Sequence, residues 1–575
     1  MKSNKILSMF LSILLISSIA FTGCGKKDDA KKDDTGKKDG TGTLEEAKAH
    51  MDSDQYLNLF GWEPESLDPG VTSITTSQAT QAPIYEGLTV SEIDKDGNAV
   101  IKPGVAEKWE HNEKGDEYTF HLRKDAKWSD GVDVTAKDFV YAVQRVVDPK
   151  TGSPYSWLFN GFIKNAEKAN KGEVPLDEVG IKAIDDHTLK VTLPGPVASF
   201  MKITYFASFY PVRQDIVEKY GKKFGSEADT VVSNGPFVAK EWVHNGKIVF
   251  EKNPYYWDKE HVYLNQMTWT MIQDATPRYN ALLSGEMDSG GVGDPDWKKK
   301  FDETGDYNFI SVKDAACDYL IFNHNNKYLK NAKIRRAISA AIDREDYNKA
   351  VAKGAAVPAY EYIPDTVSIG EENFQKKVGE PKYVKKLIDE VKDPKAYLIE
   401  GLKEENLDPD PANMDLTLTL RGASDYTKRE ADWYINEFKN KLGVTLKVDT
   451  LDVNVFYKKL EDGDLALAAG GWSADYDDPS TFIDFFHTEH GNYTKCGSGT
   501  KELDGIINDC NNTIDNDERA KKFTRAEEIL VYENCDIIPI YHGKSSTYRR
   551  KYVYGMQPVV FGFFNYKGVF TSGRK

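Results

Sequence analysis

From Asp415 onward the chain alternates between two hydrophobic periods, and this alternation restricts its fold more than any other feature. Leu416, Leu418 and Leu420 repeat every second residue, as a strand with one buried face does. Ala431, Ile435, Phe438 and Leu442 then recur on one helical stripe, and Gly443 stands where helices commonly end in a left-handed residue. Val444, Leu446 and Val448 return to a period of two, and a short helix is expected around Phe456 and Leu460. Leu465-Ala466-Leu467-Ala468-Ala469 is a continuous apolar run, suited to a strand covered on both faces. This β-α-β-α-β order is the wiring of a parallel sheet, so the fold class is α/β. Ligands of open α/β sheets bind beyond the carboxyl ends of the strands. Position alone therefore nominates the next loop, Gly470-Gly471-Trp472-Ser473-Ala474-Asp475-Tyr476-Asp477-Asp478-Pro479, as a binding site.

Elsewhere Tyr118 to Arg123 alternates as a strand, and Thr135-x-x-Asp138 opens a helix in the manner of a capping box. Phe139, Ala142, Val143 and Val146 form that helix's apolar face. Leu189, Val191 and Leu193 mark a further strand, as does Tyr319 to Phe322, which a helix with Ile334, Ala337, Ile338 and Ala341 on one face follows. A chain of 575 residues exceeds what one core supports, so two or three lobes are expected. With 91 acidic against 75 basic residues the formal charge is -16, which disfavours nucleic acid as a partner. Of the five cysteines, Cys317, Cys496, Cys510 and Cys535 follow Cys24; no C-x-x-C pair occurs, and their disulfide state stays open.

The first 24 residues read as an address. Lys2 and Lys5 precede a largely apolar run, Ile6 to Phe21, which is shorter than the ~20 residues of a membrane-spanning helix. A signal peptide over 1–23 is expected. Gly25 to Thr43 alternates Lys and Asp pairs with Gly and Thr, cannot bury apolar area, and reads as a disordered tether reaching about 25 Å.

Several motifs, in order along the body, carry a resemblance. They include Ser66-Leu67-Asp68-Pro69, Tyr85-Glu86-Gly87-Leu88 and Lys127-Trp128-Ser129-Asp130-Gly131 running on to Arg145. Phe209-Tyr210-Pro211-Val212, Ser233-Asn234-Gly235-Pro236-Phe237, Arg335-Arg336-Ala337-Ile338 and Ala341-Ile342-Asp343-Arg344 come next, then Gly471-Trp472-x-Ala474-Asp475-Tyr476 and Ile538-Pro539-Ile540-Tyr541. Together they resemble the family-5 extracellular solute-binding proteins, the oligopeptide- and dipeptide-binding lipoproteins of ABC importers. Phe21-Thr22-Gly23-Cys24 resembles a lipobox, with Phe21 in place of the usual aliphatic residue. The resemblance implies a diacylglyceryl group on Cys24 and a place on the outer face of the cell membrane, periplasmic in a Gram-negative cell. It also implies a two-lobed, Venus-flytrap body of the periplasmic-binding-protein type II. Lobe I would comprise 45–84, 209–315 and 542–575; an inserted subdomain 85–208; and lobe II 316–541, after the lipidated Cys and tether (24–44).

The implied partners are peptides and the permease and ATPase of a peptide importer, with no cofactor, metal or catalysis, and a monomeric body. Asp475 is the candidate for the ligand's α-ammonium, because its motif resembles the one that carries that role in peptide-binding relatives. Trp472 and Ser473 would offer a ring face and main-chain groups; Asn234, Tyr155, Trp157 and Tyr541 are further candidates for ligand contact. Some relatives place a basic residue just before the Trp loop, whereas this chain has Ala468 and Ala469, so the cation that meets a ligand carboxylate is left open. A nickel complex, a sugar or a signalling peptide are the alternative ligands. An enzyme finds no support: His487-x-x-His490 has neither zinc-protease spacing, and no G-x-S-x-G occurs.

Overall fold

Phe120 and Leu122 alternate with polar residues, and in the computed structural model both are buried on the strand Glu117–Leu122. The structure describes residues 44–574 apart from 73, 95–98, 380–381, 490, 492, 558–559 and 562. The expected signal peptide, Cys24 and the tether up to Thr43 lie outside the described residues, as does His490. Glu117–Leu122 belongs to a four-stranded antiparallel sheet, between Ala106–His111 and Thr188–Thr192, with Ile181–Asp185 beyond. Helix α1, Ala136–Val147, joins its core through Phe139, Ala142, Val143 and Val146, the stripe that the spacing predicts. Asp138 Oδ2 accepts the Thr135 N–H at 2.8 Å, the reciprocal half of a capping box. It also accepts the Trp128 indole N–H at 3.4 Å, which explains why a fully buried Trp sits in the turn before the helix. Arg145, at the far end of α1, donates to both oxygens of Asp68 at 2.8 and 2.6 Å.

The larger sheet has eleven strands. We number those of its main row along the chain: β1 (Tyr56–Phe60), β2 (Phe237–Val243), β3 (Lys247–Lys252), β4 (Gln266–Thr270), β5 (Ser289–Gly291), β6 (Tyr307–Phe322), β7 (Thr417–Arg421), β8 (Lys447–Leu451), β9 (Leu467–Ser473) and β10 (Ile537–Arg550). Their order across the sheet is β8-β7-β9-β6-β10-β5-β1-β4-β3-β2, and the short strand Val357–Pro358 pairs with β10 off this row. Strands β6 and β10, of 16 and 14 residues, run antiparallel from Tyr307↔Arg550 to Ile321↔Ile537. Their ladder is irregular between Lys313 and Cys317. At one end β10 pairs with β5; at the other β6 pairs with β9. The two long strands thus join two groups of strands with separate apolar cores. Leu57, Phe250 and Met267 pack in one, and Leu320, Leu418 and Leu467 in the other.

Helix α2, Ala332–Ala341, buries Ile334, Ala337, Ile338 and Ala341 as expected. Its Arg335 donates to the carbonyls of Asn534 and Cys535, and Arg344 just beyond it to that of Pro539 at 2.7 Å, so two buried guanidinium groups hold the entry to β10. The parallel β-α-β-α-β unit is present as β7, α3 (Asp425–Glu437), β8, α4 (Val453–Glu461) and β9, with β7 between the other two strands. Gly443 is left-handed at φ 76°, as its position predicts.

Two details differ from expectation. Ile435 is 37% exposed, and the buried face of α3 runs instead through Thr427, Trp433 and Tyr434. The rings of Trp433 and Tyr434 pack on Tyr347 at 5.1 and 5.9 Å, covering more area than one isoleucine would. The helix then continues in a π-type turn, Phe438–Leu442, which re-phases the last residues onto the core. The second difference is that Gly470 to Ser473 belong to β9 and not to the loop. Their backbones pair with Tyr319 to Ala316 of β6, and ladder bonds need no apolar side chains. The four described cysteines, Cys317, Cys496, Cys510 and Cys535, are buried free thiols.

Candidate functional site

Strand β9 pairs with β6 along all its seven residues but with β7 only at Leu467 and Ala468. From Ala469 to Ser473 its β7-facing edge has no ladder partner among the described residues. Past Ser473 the chain turns: Ala474 N–H donates to Ala315 at 2.8 Å and Asp475 N–H to Thr481 Oγ1 at 3.2 Å. The remainder of the turn is held from two sides. Arg519 donates to Asp478 Oδ1 at 2.7 Å and Oδ2 at 3.0 Å in a fully buried pair. Asp477 accepts the Ser368 N–H at 2.6 Å and pairs with Lys202 at 3.2 Å. Asp477 and Asp478 are therefore scaffold, the reading their turn-like sequence favours.

Asp475 differs from both neighbours. Its Oδ1 accepts the Tyr155 hydroxyl at 2.9 Å, whereas Oδ2 is shielded from solvent and has no hydrogen-bond partner. Burial pushes its carboxyl up to about 7, against the smaller opposing effect of the Tyr155 hydrogen bond. A carboxylate in such a place requires a donor or a cation to stay ionised. Tyr155 is held by edge contact with Phe206 at 5.1 Å, and Trp157 lies beside it at 5.8 Å. Phe162 meets Tyr476 edge-on at 5.6 Å. Residues from Tyr155 to Lys202 thus close over the 475–477 turn.

The structure gathers five of the seven sequence candidates here. Trp472, at the end of β9, donates to Thr481 Oγ1 at 3.3 Å and packs on Phe485, ring centroids 4.1 Å apart. Ser473 is exposed at the strand end. Trp157, 44% exposed, lines a cavity of about 280 Å³ with Phe162, Tyr476, Asp484 and Phe485. The other two candidates sit apart from Asp475. Asn234 is buried, with Oδ1 accepting the Glu86 N–H at 3.1 Å and Nδ2 donating to the Glu86 carbonyl at 2.9 Å. Its amide thus joins two sequence motifs. Tyr541 lines a different cavity of about 430 Å³, at the carboxyl end of β7.

That second cavity contains residues missed from sequence. Arg421, the last residue of β7, donates to Asp318 Oδ1 and to the Tyr457 hydroxyl. A signal was present: Arg421 directly succeeds the Leu416-Leu418-Leu420 alternation, at the strand end where α/β sheets bind ligands. Glu430 of α3 also lines the cavity, and its carboxyl is pushed up to about 7 by burial. Gly471 leaves room for this pair: a Cβ there would lie 2.8 Å from Asp318 Oδ1 and 3.1 Å from Arg421 Nη2 and would push those side chains aside.

Comparisons with known proteins place the chain in a family. Residues 100–494 match the family described as bacterial extracellular solute-binding proteins, family 5, middle region. The dipeptide-binding protein DppE of Bacillus subtilis is 33% identical over 541 residues, 94% of this chain and 94% of that one. The periplasmic oligopeptide-binding protein OppA of Salmonella typhimurium is 33% identical over 493 residues, 84% of this chain and 86% of that one. Among solved structures, Listeria monocytogenes OppA bound to peptide matches with a TM-score of 0.76 at 29% identity, over 91% of this chain and 100% of that chain. With its two groups of strands joined by two long strands, the chain belongs to the family-5 bacterial extracellular solute-binding proteins and has their two-lobed fold.

Proposed function

We propose that this protein captures peptides between its two lobes and delivers them to an ABC-type importer. The observation that carries the reading is Asp475 Oδ2, a buried carboxylate oxygen without a partner, at the end of a strand whose edge is open. A free peptide offers what this arrangement lacks: an α-ammonium for the carboxylate and backbone groups for an added strand. In this reading Asp475 meets the ammonium and Tyr155 orients the carboxylate. Ser473 offers main-chain groups, Trp472 and Trp157 offer ring surface, and Tyr541 lines the groove further along. Asn234 shapes the turn at Glu86 without touching ligand. Relatives whose names state dipeptide or oligopeptide binding, and a similar structure described as peptide-bound, support the peptide over a sugar or a nickel complex.

In the same reading lobe I comprises 45–84, 209–315 and 542–575, the inserted subdomain 85–208, and lobe II 316–541. The hinge is then the irregular stretch of β6 after Lys313 and the facing Gly543, where a Cβ would lie 2.9 Å from Asp314 Oδ2. The body is a monomer on the outer face of the membrane, held by lipid on Cys24, with no enzymatic role or cofactor. Calorimetry with short peptides, paired with small-angle scattering, tests the reading. Free-amine peptides are expected to bind and reduce the radius of gyration, and their N-acetylated forms to bind at least about 100-fold more weakly. Equal affinity for both forms would remove Asp475 from this role.

A further inference from the structure

The cavity at the end of β7 has a charge balance that points to one kind of occupant. Its lining includes two carboxylates, Asp318 and Glu430, and one cation, Arg421. Arg421 is already engaged by Asp318 and Tyr457. Glu430 has a hydroxyl and no cation as its hydrogen-bond partner: Tyr347 donates to its Oε1 at 2.7 Å, and Tyr426 in turn lies 3.0 Å from that Tyr347 hydroxyl. Tyr347 and Tyr541 stack at 5.7 Å and, with Tyr426 and Tyr457, give the cavity aromatic walls. With both acids ionised the enclosed space lacks one positive charge. An incoming carboxylate would face two like charges, whereas a cation would complete the balance and lie against tyrosine faces, which attract cations.

The cavity also adjoins the proposed ligand path. Ala469 and Gly470, the first residues of β9 beyond its pairing with β7, line it. A peptide added along that edge would direct alternate side chains toward α3. We propose that this cavity is a side-chain subsite selective for a basic residue, lysine or arginine, of the bound peptide, with Glu430 as the residue that sets the preference. The proposal rests on the peptide-binding reading above and names the class of peptide within it. The elevated proton affinity of Glu430 in the ligand-free chain agrees with a missing counter-charge.

The test is a positional scan by calorimetry with tetra-alanine in which each position in turn carries lysine, Nε-acetyl-lysine, norleucine or glutamate. At one position lysine is expected to bind at least about ten-fold more tightly than acetyl-lysine or norleucine, with glutamate the weakest. In Glu430→Gln the ratio of lysine to norleucine at that position is expected to fall to within about two-fold. Absence of a lysine preference at every position, with the parent peptide bound, overturns the subsite and leaves peptide binding standing. A preference undiminished in the folded variant also overturns it. If Glu430→Gln does not fold, the acetyl-lysine comparison on the native protein decides alone. Failure of every peptide, parent included, to bind would instead sink the peptide-binding reading.

Discussion

At the scale of single residues, three aspartates in one turn show how environment assigns role. Asp478 is neutralised by Arg519, Asp477 by Lys202 and a backbone donor, while Asp475 has only a tyrosine hydroxyl. Neighbouring positions therefore hold two structural carboxylates and one with an unpartnered oxygen, the one proposed to meet ligand. The Asp475 carboxyl titrates near 7 when folded, against 3.8 for an unperturbed aspartate. Below pH ~4 both the folded and unfolded chains are protonated at this site. As pH rises toward 7 the unfolded chain loses that proton first, so this group's contribution to stability falls through the window. Asp475→Asn removes the loss. The variant is expected to be more stable than the native protein by roughly 1–3 kcal/mol at pH 8, with the difference shrinking toward pH 4.5, when urea unfolding is compared at the two pH values. The same variant is expected to bind peptide far more weakly, so that function here costs stability.

At the scale of elements, the family motifs prove to be joints. Trp128 and Asp138 lock the start of α1, Arg145 bolts its end to Asp68, Asn234 grips Glu86, and Arg335 and Arg344 hold the entry to β10. Motifs distant in sequence thus meet in pairs. Asp138→Ala would unpair the Thr135 N–H and the Trp128 indole together. It is expected to lower stability by about 1–2 kcal/mol in thermal or urea unfolding, while peptide affinity stays the same. The period-based reading of elements was sound for α1, α2 and the β-α-β-α-β unit. It failed where backbone pairing or larger neighbouring side chains decided the outcome. Gly470-Gly471-Trp472-Ser473 carry no strand pattern, yet β6 recruits their backbones into the sheet. Ile435 fits a helical stripe, yet Trp433 and Tyr434 displace it from the core.

At the scale of the whole molecule, the sheet carries one consequence for transport. β6 and β10 run through both strand groups, so if the lobes close over ligand as proposed, the movement is expected where their ladder is irregular, near Lys313 to Cys317. In that reading the contacts from Tyr155 to Asp475, Lys202 to Asp477 and Phe162 to Tyr476 would hold the closed arrangement. The proposed anchor belongs to this scale too, since it would set where the body works. With the full-length chain expressed in a bacterial host, labelled palmitate is expected to be incorporated into the protein and to fractionate with membranes. Cys24→Ser is expected to abolish the label and release the body. Undiminished label in that variant would place the lipid elsewhere or remove the anchor.

The α/β class, the parallel unit ending in the Trp472–Asp475 segment, and the family were all legible in the order of residues alone. These rest on local periodicity and on motifs whose residues are needed wherever the joints recur. The motif also nominates Asp475, whose meeting with a ligand ammonium is the proposal made above, because a motif names a position regardless of what surrounds it. Three-dimensional packing was needed to learn which aspartate keeps an unpartnered oxygen, that both ends of the Asn234 amide bond Glu86, and that Arg421, Asp318 and Glu430 share one cavity. The physical reason is that charge balance and desolvation depend on every group packed around a site, and those groups here come from strands and helices more than a hundred residues apart in the chain.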